Sequence, residues 1–129
     1  MRARDWIKNS WRDRRGSSAV EFAFLLPAFL GCIVGGLYAA MGVSIANSIQ
    51  FAVEQGARCA AMGSASCRDG ASTITYTQNH YTGPASPVPS FTFANAACGY
   101  RVSASINYGF DFALTTVNLP ITATSCFPG

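Results

Sequence analysis

The sequence predicts an α+β protein: one long N-terminal transmembrane helix that extends into a small antiparallel β-sheet domain. Three observations carry this. No charged residue occurs between Glu21 and Glu54. Six of the nine basic residues (Arg2, Arg4, Lys8, Arg12, Arg14 and Arg15) precede Gly16. Beyond Ala71 the apolar residues change from helical spacing to alternation.

The long helix follows from the uncharged run. About 20 apolar residues cross the roughly 30 Å of bilayer hydrocarbon. At about 1.5 Å per residue this run is roughly 48 Å long, a surplus too large for tilt alone. Its first part therefore sits in the membrane, and its more polar last part stands out of it. The expected organisation is a leader over 1–16, a membrane-spanning part over 17–42, an exported amphipathic helix over 43–63 and a small β domain over 64–129. Cytoplasmic flanks are rich in Lys and Arg, so the N-terminus is inside and the C-terminal domain outside. Beside a hydrophobic span, the basic arm reads as a topological signal and not as a nucleic-acid contact. Trp6 and Trp11 are candidate interfacial anchors, and the arm reads either as a weakly amphipathic turn of Trp6, Ile7 and Trp11 on the membrane surface or as a solvated leader with no fixed structure.

The helix start has a local explanation. Ser18-Ala19-Val20-Glu21 fits a capping box, with Ser18 as N-cap and Glu21 three residues on. That does not explain why a carboxylate opens a membrane span, where charge is costly and usually functional. Within the span, Pro27 removes one backbone hydrogen bond. Gly31 and Gly35 fit the small-residue pattern of close helix contacts, which Ala39 extends. Cys32 reads as a small apolar residue; Phe29-Leu-Gly-Cys32 is too poor a lipoprotein match to imply lipidation. After Gly42, Val43, Ile45, Ala46, Ile49, Ala52, Val53, Gly56, Ala57, Ala60 and Ala61 form one apolar stripe at helical spacing. The downstream domain is the obvious cover for it, a neighbouring subunit the other. Gly63 supplies the stop.

In the exported part, Thr73–Gln78 reads as a strand, 83–90 as a proline-rich loop and Phe91–Phe93 as a short strand. Tyr100–Tyr108 alternates strictly, with Tyr100, Val102, Ala104, Ile106 and Tyr108 on one face. Val117–Thr124 alternates too, and Pro120 places it at an edge or makes it begin near there. Three or four antiparallel strands packed on the helix bury both apolar faces. Four exported cysteines imply two disulfides, with three pairings open. A turn centred near Ala113 puts Tyr100 opposite Cys126 and Cys98 one diagonal step away. That selects Cys98–Cys126 and leaves Cys59 with Cys67.

No catalytic, cofactor or metal motif is present. Glu54, Asp69 and Asp111 are scattered, and His80 reads as a surface residue. These features exclude an enzyme, a small-molecule substrate and a nucleic-acid partner as first readings.

A basic leader, Gly16, Glu21 at the fifth position after it and an apolar helix resemble a type IV prepilin-like processing site. In addition, Arg15-Gly-Ser-Ser-Ala-Val-Glu-Phe-Ala-Phe-Leu-Leu-Pro27 and Gly56-Ala57-Arg58 resemble TadE-like proteins, the minor pseudopilins of tight-adherence (Flp) pilus systems. The resemblance is close in the N-terminal half and loose at Leu119-Pro-Ile-Thr-Ala-Thr124. It implies a pilin-like helix and cleavage between Gly16 and Ser17 by a prepilin peptidase. It also implies that Glu21 pairs with the new terminal ammonium of a neighbour, and that Pro27, Gly31 and Gly35 take part in helix assembly. The implied partners are the bacterial inner membrane, the peptidase, other pilins and the assembly platform, with the C-terminal domain periplasmic. The alternative is an unprocessed, signal-anchored periplasmic binding protein, which needs neither Gly16 nor Glu21.

Overall fold

The structure is a computed structural model that describes residues 17–112 and 115–129. The leader with Trp6, Ile7 and Trp11, the residue Gly16 and the turn position Ala113 lie outside the described residues. The elements are α1 (Ser17–Ala61), a 3-10 turn (Ala65–Cys67), α2 (Gly70–Asn79), β1 (Ser90–Ala96), β2 (Gly99–Phe112) and β3 (Thr115–Phe127). The chain divides into two compact units, one ending at Leu37 and one running from Tyr38 to Gly129, and α1 contributes to both.

In the first unit α1 is long and apolar enough to cross a membrane. Phe22, Phe24, Leu25, Phe29, Leu30 and Leu37 are all exposed. A helix apolar on every side is at home in lipid and not in water. The start of α1 differs from the expected capping box. Ser17 and Ser18 are both helical, so Ser18 is not the N-cap, and no acidic residue lies in the first turn. The run of small residues Ser17-Ser18-Ala19 continues the helix a turn ahead of Glu21, because none of them blocks helical backbone.

The second unit is built on the outer half of α1. Ile45, Ile49, Ala52, Val53 and Ala57 are buried, as expected of the stripe, whereas Val43 at its start is exposed. Their cover comes from the same chain: Phe91, Val102, Ala104, Ile106, Ile121 and Ala123 complete one cluster. Full burial of a Val or Ile side chain stabilises by roughly 1.5–3 kcal/mol, so Ile49 and Val53, with no exposed surface, anchor this face. The sheet is a three-stranded antiparallel meander in the order β1-β2-β3. Pro120 lies in β3, an edge strand, the place in a sheet that tolerates a residue unable to donate.

Gly63 ends α1 in a Schellman arrangement. Its φ is +60°, its N–H bonds Ala60 O and the Ser64 N–H bonds Cys59 O. The chain then turns back through the 3-10 turn, and a disulfide joins Cys59 to Cys67, with Cα atoms 5.8 Å apart. The second disulfide joins Cys98 to Cys126.

Two expectations are corrected here. Thr73–Gln78 is helical and belongs to α2, not to a strand. Asp69 caps it: Asp69 Oδ1 accepts from the Ser72 N–H at 2.7 Å while the Asp69 N–H donates to Ser72 Oγ at 3.1 Å. The Ser72 N–H first, and then the Ser72 side chain, hold the Asp69 carboxyl below the usual carboxylate range. Thr73 and Thr77 are fully buried, each donating its hydroxyl to the carbonyl four residues back (Asp69 and Thr73). Their polar atoms are thus satisfied inside the helix, which lets a β-branched, strand-like sequence pack as one. The second correction is the β2–β3 register. Tyr100 lies opposite Phe127 and Arg101 opposite Cys126, one residue from expectation, because the last pair before the turn is Phe112 with Thr115. A turn of even length moves the register by one relative to a turn centred on Ala113.

At Gly56, α1 and α2 approach closely. A Cβ there collides with Thr77 Oγ1 and lies 3.2 Å from Thr77 Cβ. Alanine improves intrinsic helix propensity over glycine by about 1 kcal/mol, whereas overpacking costs about 1–3 kcal/mol. Gly56→Ala therefore lowers stability, and Thr77→Ala in the same chain relieves part of the loss. Chemical unfolding of the detergent-solubilised protein measures both; a Gly56→Ala variant more stable than its parent contradicts the packing.

The disulfides close unfolded-chain loops of different size, with separations of 8 and 28 residues. The loop-entropy relation gives about 2.5 kcal/mol for the short bridge and about 3.5 kcal/mol for the long one. Cys98→Ser is accordingly more destabilising than Cys59→Ser in the same unfolding assay, and the reverse order counts against it.

Candidate processing and assembly site

Ser17 is the first helical residue described, and Glu21 is exposed one turn further on. At about 100° per residue, Glu21, Ala28, Cys32, Gly35 and Ala39 fall within about 40° of one direction around α1. Leu26, Leu30, Ile33 and Leu37 fall on the other side. The carboxylate thus heads a side on which Ala28, Cys32, Gly35 and Ala39 are small, with Leu25 the bulky residue among them. Pro27 lies inside α1, and its ring leaves the Ala23 carbonyl without its usual intrahelical donor. Phe22, Leu25, Leu26, Ala28, Phe29 and Cys32 border a shallow apolar groove of about 550 Å³ beside it.

Among the described residues, Gly31, Gly35 and Gly36 have no crowding neighbour. A Cβ at Gly31, Gly35 or Gly36 meets nothing within 4 Å. That contrasts with Gly56, where the chain's own Thr77 fills the space. Cys32 is exposed and is the one free cysteine among the described residues.

The outer carboxylates are not gathered into a site. Each has a partner on its own element or hairpin: Glu54 accepts from Gln50 Nε2, Asp69 from the Ser72 N–H and Asp111 from Thr116 Oγ1. Among the described residues no group of three His, Cys, Asp or Glu side chains is placed to hold a metal ion. His80 is half-buried and not freely exposed. It ends α2, with Nδ1 2.8 Å from the Tyr76 carbonyl and its ring 4.1 Å from that of Tyr76.

Sequence reasoning missed the pairing of Gly56 with Thr77 and the helical nature of the segment that supplies it. The available signal was Asp69 three residues before Ser72, ahead of Thr73 and Thr77 at helical spacing.

The family model described as TadE-like protein matches residues 16–58. The match opens on Gly16 and closes on Arg58, so it takes in Glu21, Pro27, the glycines of the span and Gly56-Ala57-Arg58. The match covers a third of the chain, which over that stretch is similar to TadE-like proteins. No curated protein and no solved structure matches the chain.

Proposed function

We propose that the chain is a minor pseudopilin of a tight-adherence pilus system, working as an assembly component and not as an enzyme. It is inserted in the bacterial inner membrane with the leader cytoplasmic, the helix spanning over 17–42 and the chain from 43 onward on the periplasmic side. A prepilin peptidase removes residues 1–16, and the helix beginning at Ser17 packs with those of other pilins on the assembly platform. The observation that carries this reading is Gly16 followed by Glu21 at the head of an exposed apolar helix, inside a TadE-like segment that begins at that same glycine.

Each part has a physical rationale. Glycine lets the peptidase approach the backbone without a side-chain clash. Glu21 meets the terminal ammonium that cleavage creates on a neighbour, and pairing makes burial of both charges tolerable. Gly31 and Gly35 leave open backbone that a second helix can approach closely. A signal-anchored binding protein accounts for the span and the exported domain but gives Gly16 and Glu21 no role.

Cleavage falls between Gly16 and Ser17 in cells with an active prepilin peptidase. Gly16→Ala slows it and a bulkier residue stops it. Mass spectrometry of the membrane-extracted protein reads the mature N-terminus, and a chain retaining Met1–Arg15 sinks the reading.

Glu21→Ala still reaches the membrane, because losing a charge eases insertion. It fails to join the other pilus components, since the neighbour's ammonium has lost its partner. Co-purification with pilus proteins at the parental level would falsify the pairing.

A further inference from the structure

The helix-facing side of the sheet stays apolar further than the core extends. The last closed layer is Ile106 opposite Ile121, both buried. Past it the same face carries Tyr108 opposite Leu119, then Phe110 opposite Val117. Here Leu119 is 47% exposed and Val117 41%. The sheet is now two strands wide, because β1 begins at Ser90, opposite Ser105. At about 3.4 Å per residue the β2–β3 ribbon reaches roughly 20 Å beyond the closed layer. A two-stranded ribbon is marginal alone in water.

Its support within the unit is small and specific. Phe110 stacks on Tyr38, with ring centroids 4.8 Å apart and planes 16° from parallel. The Tyr108 hydroxyl donates to Met41 Sδ at 3.7 Å. Leu119 lies over Gly42, its Cδ2 3.7 Å from where a Cβ would be. From Tyr108 to Phe110 the contact moves from Met41 back to Tyr38, so the ribbon runs toward the N-terminal side of α1. A span of about 20 residues beginning after Glu21 ends at Met41. The ribbon is therefore fastened to the helix where the helix leaves the bilayer.

The chemistry of the ribbon suits that level. Tyr38, Tyr108 and Phe110 are aromatic, and Tyr is enriched at membrane–water interfaces. Met41 and Val43 on α1 are exposed alongside, extending the apolar surface. The other face of the ribbon is polar, with Asn107, Asp111, Thr116 and Asn118, and Thr116 Oγ1 donates to Asp111 at 2.7 Å. The ribbon is thus amphipathic across its thickness.

We infer that the β2–β3 ribbon is a second membrane contact, its face of Tyr108, Phe110, Val117 and Leu119 resting in the interfacial layer of the bilayer that α1 leaves. The inference rests on the membrane-span reading above. It gives the exported domain two points of attachment, which restrict its rotation about the helix axis.

The test uses the full chain carrying Cys32→Ser, with both disulfides intact, in phosphatidylcholine vesicles. A single spin label is placed through Val117→Cys, through Ser105→Cys on the polar face of the sheet, or through Ala28→Cys in the span. Leu119→Cys repeats the ribbon measurement in case the Val117 variant misfolds. The ribbon label loses most of the accessibility to a water-soluble nickel chelate that the Ser105 label retains, and it does so at every protein-to-lipid ratio. A ribbon label as wet as Ser105, with Ala28 protected, overturns the membrane contact and leaves the span reading standing. Protection that appears only at high protein-to-lipid ratio overturns it in favour of a second copy. A wet label at Ala28 overturns the span reading and the ribbon contact together.

Discussion

The apolar stripe on the outer half of α1 has to be kept from water, and most of the chain after Ala61 is arranged to do it. Ile45, Ile49, Ala52, Val53 and Ala57 lie at helical spacing and present a narrow strip. One face of a three-stranded sheet is wide enough to cover it, and an alternating sequence supplies such a face from few residues. A small domain buries only a modest fraction of its surface, so this packing leaves little reserve. Two disulfides offset that by limiting the unfolded chain, one at the end of α1 and one between the β1–β2 turn and β3.

The remaining elements follow from the need to reach the sheet from the end of the helix. Gly63 adopts the left-handed backbone that terminates α1, and the Cys59–Cys67 bridge holds the reversal. The chain then lays α2 against α1 at Gly56. Close approach is possible because Gly56 has no side chain and because the Thr77 hydroxyl is already bonded to Thr73 O. An unsatisfied hydroxyl at that depth would cost about 1–3 kcal/mol, enough to weaken so small a unit. The alternating pattern of the threonines thus serves a helix, since Thr73 and Thr77 also share one helical face.

This explains what was legible in the sequence and what was not. The long helix, its stop at Gly63, the inward face of β2 and the edge position of Pro120 were legible, because hydrophobic period, a terminal glycine and a missing N–H each act locally. The cysteine pairs at bonding distance are consistent with those chosen from strand topology, although the register behind the choice was off by one. The bridge tolerates that slip because Cys98 sits at the β1–β2 turn, within diagonal reach of Cys126 from either register. The strand expected over Thr73–Gln78 failed because β-branching and alternation outweighed the Asp69–Ser72 cap. Tertiary packing decided that segment, and its partner, Gly56, is distant in sequence. The expected box at Ser18 and Glu21 failed for the opposite reason: the helix runs on through residues that fit a cap equally well.

The two halves of α1 answer to different surroundings, and its glycines separate them. At Gly56 the surroundings belong to the chain itself, and the absent side chain is accounted for by Thr77. At Gly31, Gly35 and Gly36 nothing among the described residues requires glycine, although each one weakens a helix interior by about 0.5–1 kcal/mol relative to alanine. Three such losses in one apolar segment are hard to reconcile with a helix whose only task is to hold a domain at the membrane. A second helix packing closely against this backbone, as proposed above, would account for them. The TadE-like segment covers both kinds of glycine. That is the pattern expected of a helix that folds its own domain at one end and joins an assembly at the other.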